Sequence, residues 1–239
     1  MIVAIPSKGR AGQVRTAAIL PSAALYVPEN EAAAYRKFHP LVIAVPMSVR
    51  GITATRNYIL NTADPDDPDV VMVDDDVKVQ GWIQLKHQNG KHQALTEAAW
   101  LAEWKKLFAV TRGVGFRIWG VGTDGALRSV YPWRPFIWHT YVTASCMGIC
   151  NESGVRFDES FPVKEDYELC LRCIKEDGGV VGARYLYWAN EHWTGEGGCK
   201  SYRTQEMEEA ATERLMVMYP RLIRRVERGG SKYSIELDF

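Results

Sequence analysis

The chain has few histidines, five in 239 residues, and no excess of either charge, with Lys and Arg together numbering 29 and Asp and Glu also 29. Such a balance sets up no long-range field toward a polyanion, so any contact with nucleic acid has to be local. Long hydrophobic runs are missing. The apolar stretches are too short to cross a bilayer, and Met1-Ile-Val-Ala-Ile-Pro6 lacks the basic start and extended apolar core of a secretory leader, which leads us to expect a cytosolic protein with no membrane partner. Cysteine is sparse and odd in number, five, which argues against a disulfide framework. Cys146, Cys150, Cys170 and Cys173 have zinc-ligand chemistry, but the last two fall inside an amphipathic helical pattern without the turn a zinc knuckle needs, so buried thiols are expected. The loop after the first apolar run, Ile2 to Ile5, carries neither Gly-x4-Gly-Lys-Ser/Thr nor Gly-x-Gly-x-x-Gly.

What is present, at 46% hydrophobic and 24% charged residues, suffices for one substantial core. Apolar runs at Ile2–Ile5, Ala24–Val27, Leu41–Val45 and Val70–Val73 alternate with helical patterns at Glu31–Phe38 and Ile52–Thr62, which predicts βα units and a mostly parallel α/β sheet flanked by helices. Thr96 is placed to cap a helix in which Trp100, Trp104, Leu107 and Phe108 form a core stripe. Gly81 to Gln93, with His87 and His92, reads as a polar loop, Gly113 to Gly125 as hairpin strands and tight turns, and Tyr141 to Cys150 as a buried strand. Val180 to Trp188 reads as an edge-like strand. After Arg203 the pattern is helical to Tyr219 and again beyond Pro220, where Arg221, Arg224, Arg225 and Arg228 would form a one-sided basic stripe, either solvated or set against phosphates.

The chemistry centres on Val70-Val-Met-Val-Asp-Asp-Asp76, an apolar strand that stops at three adjacent carboxylates. Three neighbouring anions repel one another unless water or a cation screens them, and oxygen-rich sites of this kind suit Mg²⁺ or Mn²⁺. A solvated acidic turn is the plain alternative. Pro6-Ser-Lys-Gly-Arg10, at the end of the first strand, is a natural nucleotide-binding loop. Arg56 and Asn57 lie on a helix expected beside the triple-Asp strand. Glu165 and Asp166 open a helix whose inward side also carries Cys170 and Cys173; the helix dipole stabilises Asp166 as an anion, suited to a general base or an electrostatic anchor, and simple helix-end charge complementarity explains two such acids equally well. His192 precedes a loop with Gly195, Gly197 and Gly198, flexible enough to close over phosphates. Tyr131 to His139 is rich in aromatic residues, which either cover the core or form a binding wall for sugars or bases.

In order, these parts resemble the GT-A-type glycosyltransferases: Ile5-Pro-Ser-Lys-Gly-Arg10, Ala54-Thr-Arg-Asn57, Asp74-Asp-Asp76, Phe157-Asp-Glu159 followed by Glu165-Asp166, and His192. Within them, Pro-Ser-Lys-Gly-Arg and the His-x4-Gly-Gly region resemble the phage TET-associated glycosyltransferases. The resemblance implies a GT-A-like domain over 1–202, with 203–239 a helical extension packed on it. It implies transfer of a sugar, of hexosyl or N-acetylhexosaminyl type, from a UDP-sugar to 5-hydroxymethylcytosine in DNA, with Mn²⁺ or Mg²⁺ as cofactor, in the cytoplasm of an infected host, without an obligate protein partner. Pro6, Ser7, Lys8, Arg10, Arg56, Asp74 and Asp75 would hold the donor nucleotide. Asp76, His192 and Asp74 would ligate the metal, with Asp75 as a further ligand or support. Asp166, with Glu165 as runner-up, would take the acceptor proton, and Trp133, Trp138 and Gly148 would face the acceptor. Three other functions use some of the same residues: a glycosyltransferase acting on a carbohydrate or small-molecule acceptor, a metal-dependent phosphoesterase, and a sugar- or nucleic-acid-binding module with no need of Asp166. A sugar-1-phosphate nucleotidyltransferase fits less well, because Pro6-Ser7-Lys8 does not match its Gly-rich first loop.

Overall fold

The structure, a computed structural model, describes residues 1–84, 92–123, 134–190, 203–228 and 231–238. Strands β1 (Ile2–Pro6), β2 (Ala24–Pro28), β3 (Val42–Val45) and β4 (Asp69–Val73) pair in parallel in the order β3-β2-β1-β4, linked by α1 (Thr16–Ile19), α2 (Ala32–Tyr35) and α3 (Gly51–Thr62). Ala4, Ile5, Val70, Val71, Met72 and Val73 are buried throughout. That accounts for their unbroken apolar sequence, because a parallel strand covered on both faces has no solvent side to mark with polar residues.

The sheet continues past β4 through β9 (Cys146–Cys150), β7 (Ile118–Thr123), β10 (Val181–Asn190), β5 (Val77–Gln84) and β6 (His92–Ala94), with β8 (Phe136–Ile137) also on β10. Only β5, β8 and β9 run against the remaining strands, so the ten-stranded sheet is mostly parallel, as expected. Helix α4 (Glu97–Gly113) covers one face: Trp100, Trp104, Leu107 and Phe108 pack with Val71, Val73, Trp119 and Trp188. The Thr96 side chain accepts from the Ala99 N–H and caps that helix. On the other face, α3 and α5 (Glu165–Asp177) bury Ile59, Leu60, Leu169 and Cys170 against Val70, Met72 and Met147.

Several sequence expectations need correction. β10 is no edge strand; it lies between β7 on one side and β5 and β8 on the other. In the glycine-rich stretch Gly113 ends α4 and Gly115, at φ 77°, turns the chain as expected, and residues 124 and 125 lie outside the described residues, but Ile118–Thr123 is the central strand β7 and not part of a hairpin. There glycine answers to packing rather than turning: a Cβ on Gly120 would lie 2.2 Å from Val142 Cγ1, and one on Gly148, in β9, 1.9 Å from the Trp119 ring. Gly148 is therefore buried beneath an indole. The polar run from Gly81 starts as strand β5 and ends as β6, while His87 and Gly90 lie outside the described residues.

The largest correction is at the C-terminus. After α6 (Gln205–Met218) the chain forms an antiparallel hairpin, β11 (Ile223–Arg228) with β12 (Ser231–Leu237), not a second helix. Ile223 and Ile235 are buried with Leu171, Leu215 and Tyr219, and cross-strand pairing toward this small core overrides the helical spacing of the arginines. The basic stripe is thereby broken up: Arg224 pairs with Glu236, 2.5 Å away, and Arg225 pairs with Glu213 on α6.

Candidate active site

Because β1 and β4 are parallel neighbours, the loops after Pro6 and Val73 leave the sheet side by side. Ser7 Oγ donates to Asp75 Oδ2 at 2.5 Å and lies 2.9 Å from the Tyr35 hydroxyl, which also accepts from the Arg10 N–H at 2.9 Å. The Arg10 guanidinium pairs with Asp75 and sits 3.5 Å from Asp76. Thr16 secures the acidic turn itself: its hydroxyl donates to the Asp74 carbonyl at 2.5 Å and accepts from the Val77 N–H at 3.1 Å. The Asp74 N–H donates to the Ser145 carbonyl at 3.1 Å.

The three aspartates are thereby separated into two kinds. Asp75 is turned inward, its side chain 10% exposed, and its carboxylate is engaged by Ser7 and Arg10. Asp74 and Asp76 keep 36% and 35% of their side chains accessible. Desolvation, together with the charges of Asp76, Asp75 and Asp166, outweighs the nearby Arg56 and pushes the Asp74 pKa up to about 7. A carboxyl that resists ionisation until a positive charge arrives beside it fits a cation site.

Arg56 joins this strand end to a second acidic group. Projecting from α3, it lies 3.3 Å from Asp74, forms a buried ion pair with Glu165 and sits over the Phe157 ring. It is no solvated surface cation. Asn57 next to it holds the approach to α5: its side chain donates to the Phe157 carbonyl at 3.0 Å and Glu159 at 2.9 Å, and accepts from the Phe157 N–H at 2.9 Å. Lys164, in the left-handed region at φ 57°, turns the chain into α5 and is tied to Glu208 of α6 at 3.0 Å. Glu165 is buried against Arg56, and burial raises its pKa despite that cation. Asp166 is more open. Its Oδ2 accepts from the Tyr141 hydroxyl and, at 3.3 Å, from the Ala144 N–H, and its Oδ1 accepts from the Tyr167 N–H at 2.9 Å.

The expected donor residues Pro6, Ser7, Arg10, Arg56, Asp74 and Asp75 thus gather at one end of the sheet, with Lys8 exposed on the same loop. Asp74 and Asp76 have the hard oxygen donors that Mg²⁺ or Mn²⁺ takes while keeping water and substrate ligands. Among the described residues no group of three or more His, Cys, Asp or Glu side chains is arranged to hold a metal, and His192 and Trp133 lie outside those residues. Trp138 is 38% exposed and stacks on Phe136 with ring centroids 6.0 Å apart. Cys146, Cys150, Cys170 and Cys173 are buried free thiols, as expected. The sequence reading missed Tyr35, Thr16 and Tyr141. Each acts across at least 25 positions of sequence, and nothing in its local pattern announces the partner.

The family model for the TET-Associated Glycosyltransferase matches residues 1–198. Among curated proteins no match is found. Similar solved structures include TarS 1-349 of S. aureus, 12% identical, with TM-score 0.44 over 78% of this chain and 60% of that one. The same protein in complex with UDP is 11% identical, with TM-score 0.47 over 91% of this chain and 72% of that one. The 4-diphosphocytidyl-2C-methyl-D-erythritol synthase of Anaerococcus prevotii is 10% identical, with TM-score 0.40 over 89% and 95%. The chain spans 60% of the first TarS structure's length. With the family model running from the first strand through β10, a mostly parallel α/β sheet beneath it and a carboxylate-rich site at the strand ends, the chain belongs to the TET-associated glycosyltransferase family.

Proposed function

We propose that the protein moves a sugar from a nucleoside diphosphate sugar, UDP-linked, to the hydroxyl of 5-hydroxymethylcytosine in DNA. The observation that carries this reading is the joining of two carboxylate centres, Asp74/Asp76 and Asp166, through Arg56 and Glu165 at one end of the sheet. Transfer needs two such centres, one for a departing diphosphate and one for an arriving hydroxyl. Ser7, Arg10 and Asp75 form the preorganised wall for the nucleotide, and Arg56 stands near the diphosphate. A Mn²⁺ or Mg²⁺ ion held by Asp74 and Asp76, with His192 as a further ligand, would supply positive charge for the leaving group.

In a direct displacement, the bond from the acceptor oxygen to the sugar C1 forms as the bond from C1 to the diphosphate oxygen breaks. The electron pair leaves with the diphosphate, and the acceptor proton passes to Asp166. Glu165 suits this role less well because it is buried against Arg56, and we assign it to positioning that arginine. The acceptor assignment rests on the family and on the aromatic residues beside Asp166. It is tested by incubating the protein with a panel of nucleotide sugars, Mn²⁺, and DNA with or without 5-hydroxymethylcytosine, and weighing the nucleosides. A hexose or N-acetylhexosamine mass added only to the hydroxymethylated base is expected. Transfer to a carbohydrate with none to DNA would overturn the acceptor, and phosphodiester cleavage without sugar transfer would overturn the reaction.

A further inference from the structure

A cavity of about 800 Å³ that the mechanism leaves unused lies beside Tyr141, the partner of Asp166. Its near side includes Tyr141, which donates to Asp166, and Tyr167, stacked on Tyr141 with centroids 3.9 Å apart. Trp138 and the two cations Arg134 and Arg184 continue the lining. The far side is Ile235–Leu237 of the C-terminal hairpin, beyond the 198 residues matched by the family model. Glu236, the acid on that side, is paired with Arg224 at 2.5 Å, which offsets its charge.

We propose that this cavity is the acceptor subsite and takes one unstacked nucleotide of a DNA strand, with the hairpin closing its outer side; the inference rests on the reading of the protein as a DNA-directed transferase. The chemistry of the lining supports a nucleotide. Aromatic side chains stack on any base, and Trp138, already parallel to Phe136 within 6°, gives a base a stack to extend. Guanidinium groups match phosphate geometry, and two of them serve a polyanionic strand better than a neutral sugar. A cavity of this size suits a single nucleotide and not a duplex. Tyr141 both lines the cavity and donates to Asp166, so a nucleotide seated there lies one side chain from the carboxylate.

The test uses the full chain, a labelled single-stranded oligonucleotide with one 5-hydroxymethylcytosine, and the variants Arg134→Glu, Arg184→Glu and Trp138→Ala. UDP affinity and melting temperature serve as controls for the donor side and the fold. Each arginine variant is expected to lower the salt slope of oligonucleotide binding by about 0.7 or more. Trp138→Ala is expected to weaken binding about tenfold. UDP affinity should stay unchanged in all three. If the wild-type protein glycosylates the oligonucleotide and both arginine variants bind it with unaltered affinity and salt slope, the subsite is wrong while the function stands. If the wild-type protein neither binds nor modifies the oligonucleotide, the DNA reading fails and the subsite with it. Loss of transfer to a carbohydrate acceptor in these variants, with DNA binding untouched, would overturn the nucleotide as occupant.

Discussion

Arg56 bridges the carboxylates of Asp74 and Glu165, and the energetics of that position follow from burial. Removing one partner of a buried ion pair leaves the other uncompensated, at a cost of about 3–5 kcal/mol. Arg56→Met should therefore lower the denaturation free energy by about 3 kcal/mol, read from urea unfolding, and also abolish UDP binding; an unchanged midpoint would show that Glu165 does not depend on it. Asp74 makes a separate prediction. Its folded pKa of about 7 exceeds the 3.8 of an ordinary Asp, so between these values the folded chain holds a proton that the unfolded chain has lost. The stability this contributes is full below the lower value and is lost as pH rises through the upper one. In the ligand-free protein, melting temperature should fall from about pH 4 to pH 7 less steeply in Asp74→Asn than in wild type. Parallel profiles would contradict the assignment. At this scale the sequence was informative wherever the chemistry is local: three adjacent aspartates at a strand end, and Glu165-Asp166 at a helix start, mark themselves. Tyr35 and Tyr141 do not, because a phenol earns its role only from a partner brought in by the fold.

Among the elements, Gly120 and Gly148 of the central strands β7 and β9 are set by packing. Gly148 leaves the space that Trp119 fills, and Gly148→Ala would set a methyl 1.9 Å from that ring. Overpacking of this kind costs about 1–3 kcal/mol or more, so the variant should melt well below wild type. A wild-type melting temperature would mean that the indole moves aside freely. The first four strands and helices α3, α4 and α5 were legible because apolar runs and three- to four-residue stripes encode them directly. The hairpin β11–β12 was not, since Arg221 to Arg228 satisfies helical spacing and its strand identity comes from pairing with residues that follow. β10 has an edge-like sequence yet lies inside the sheet for the same reason: neighbours in a sheet are set by topology, and a strand's own sequence does not name them.

On the scale of the whole molecule, the C-terminal segment ties the parts of the site together. Glu208 of α6 holds Lys164 at the start of α5, and the Tyr219 hydroxyl donates to Glu168 at 3.0 Å. The first turn of α5, with Asp166 on it, is thereby fixed from outside the sheet. No helix among the described residues is long and apolar enough to cross a membrane. The division of labour we propose, with Asp74 and Asp76 on the donor side and Asp166 on the acceptor side, is tested most directly by single-turnover transfer to a 5-hydroxymethylcytosine oligonucleotide with Asp166→Asn, alongside calorimetric UDP binding. Asn keeps the shape and loses the base, so transfer should slow by about 10²- to 10⁴-fold while UDP affinity holds; transfer at a near wild-type rate would contradict Asp166 as the proton acceptor.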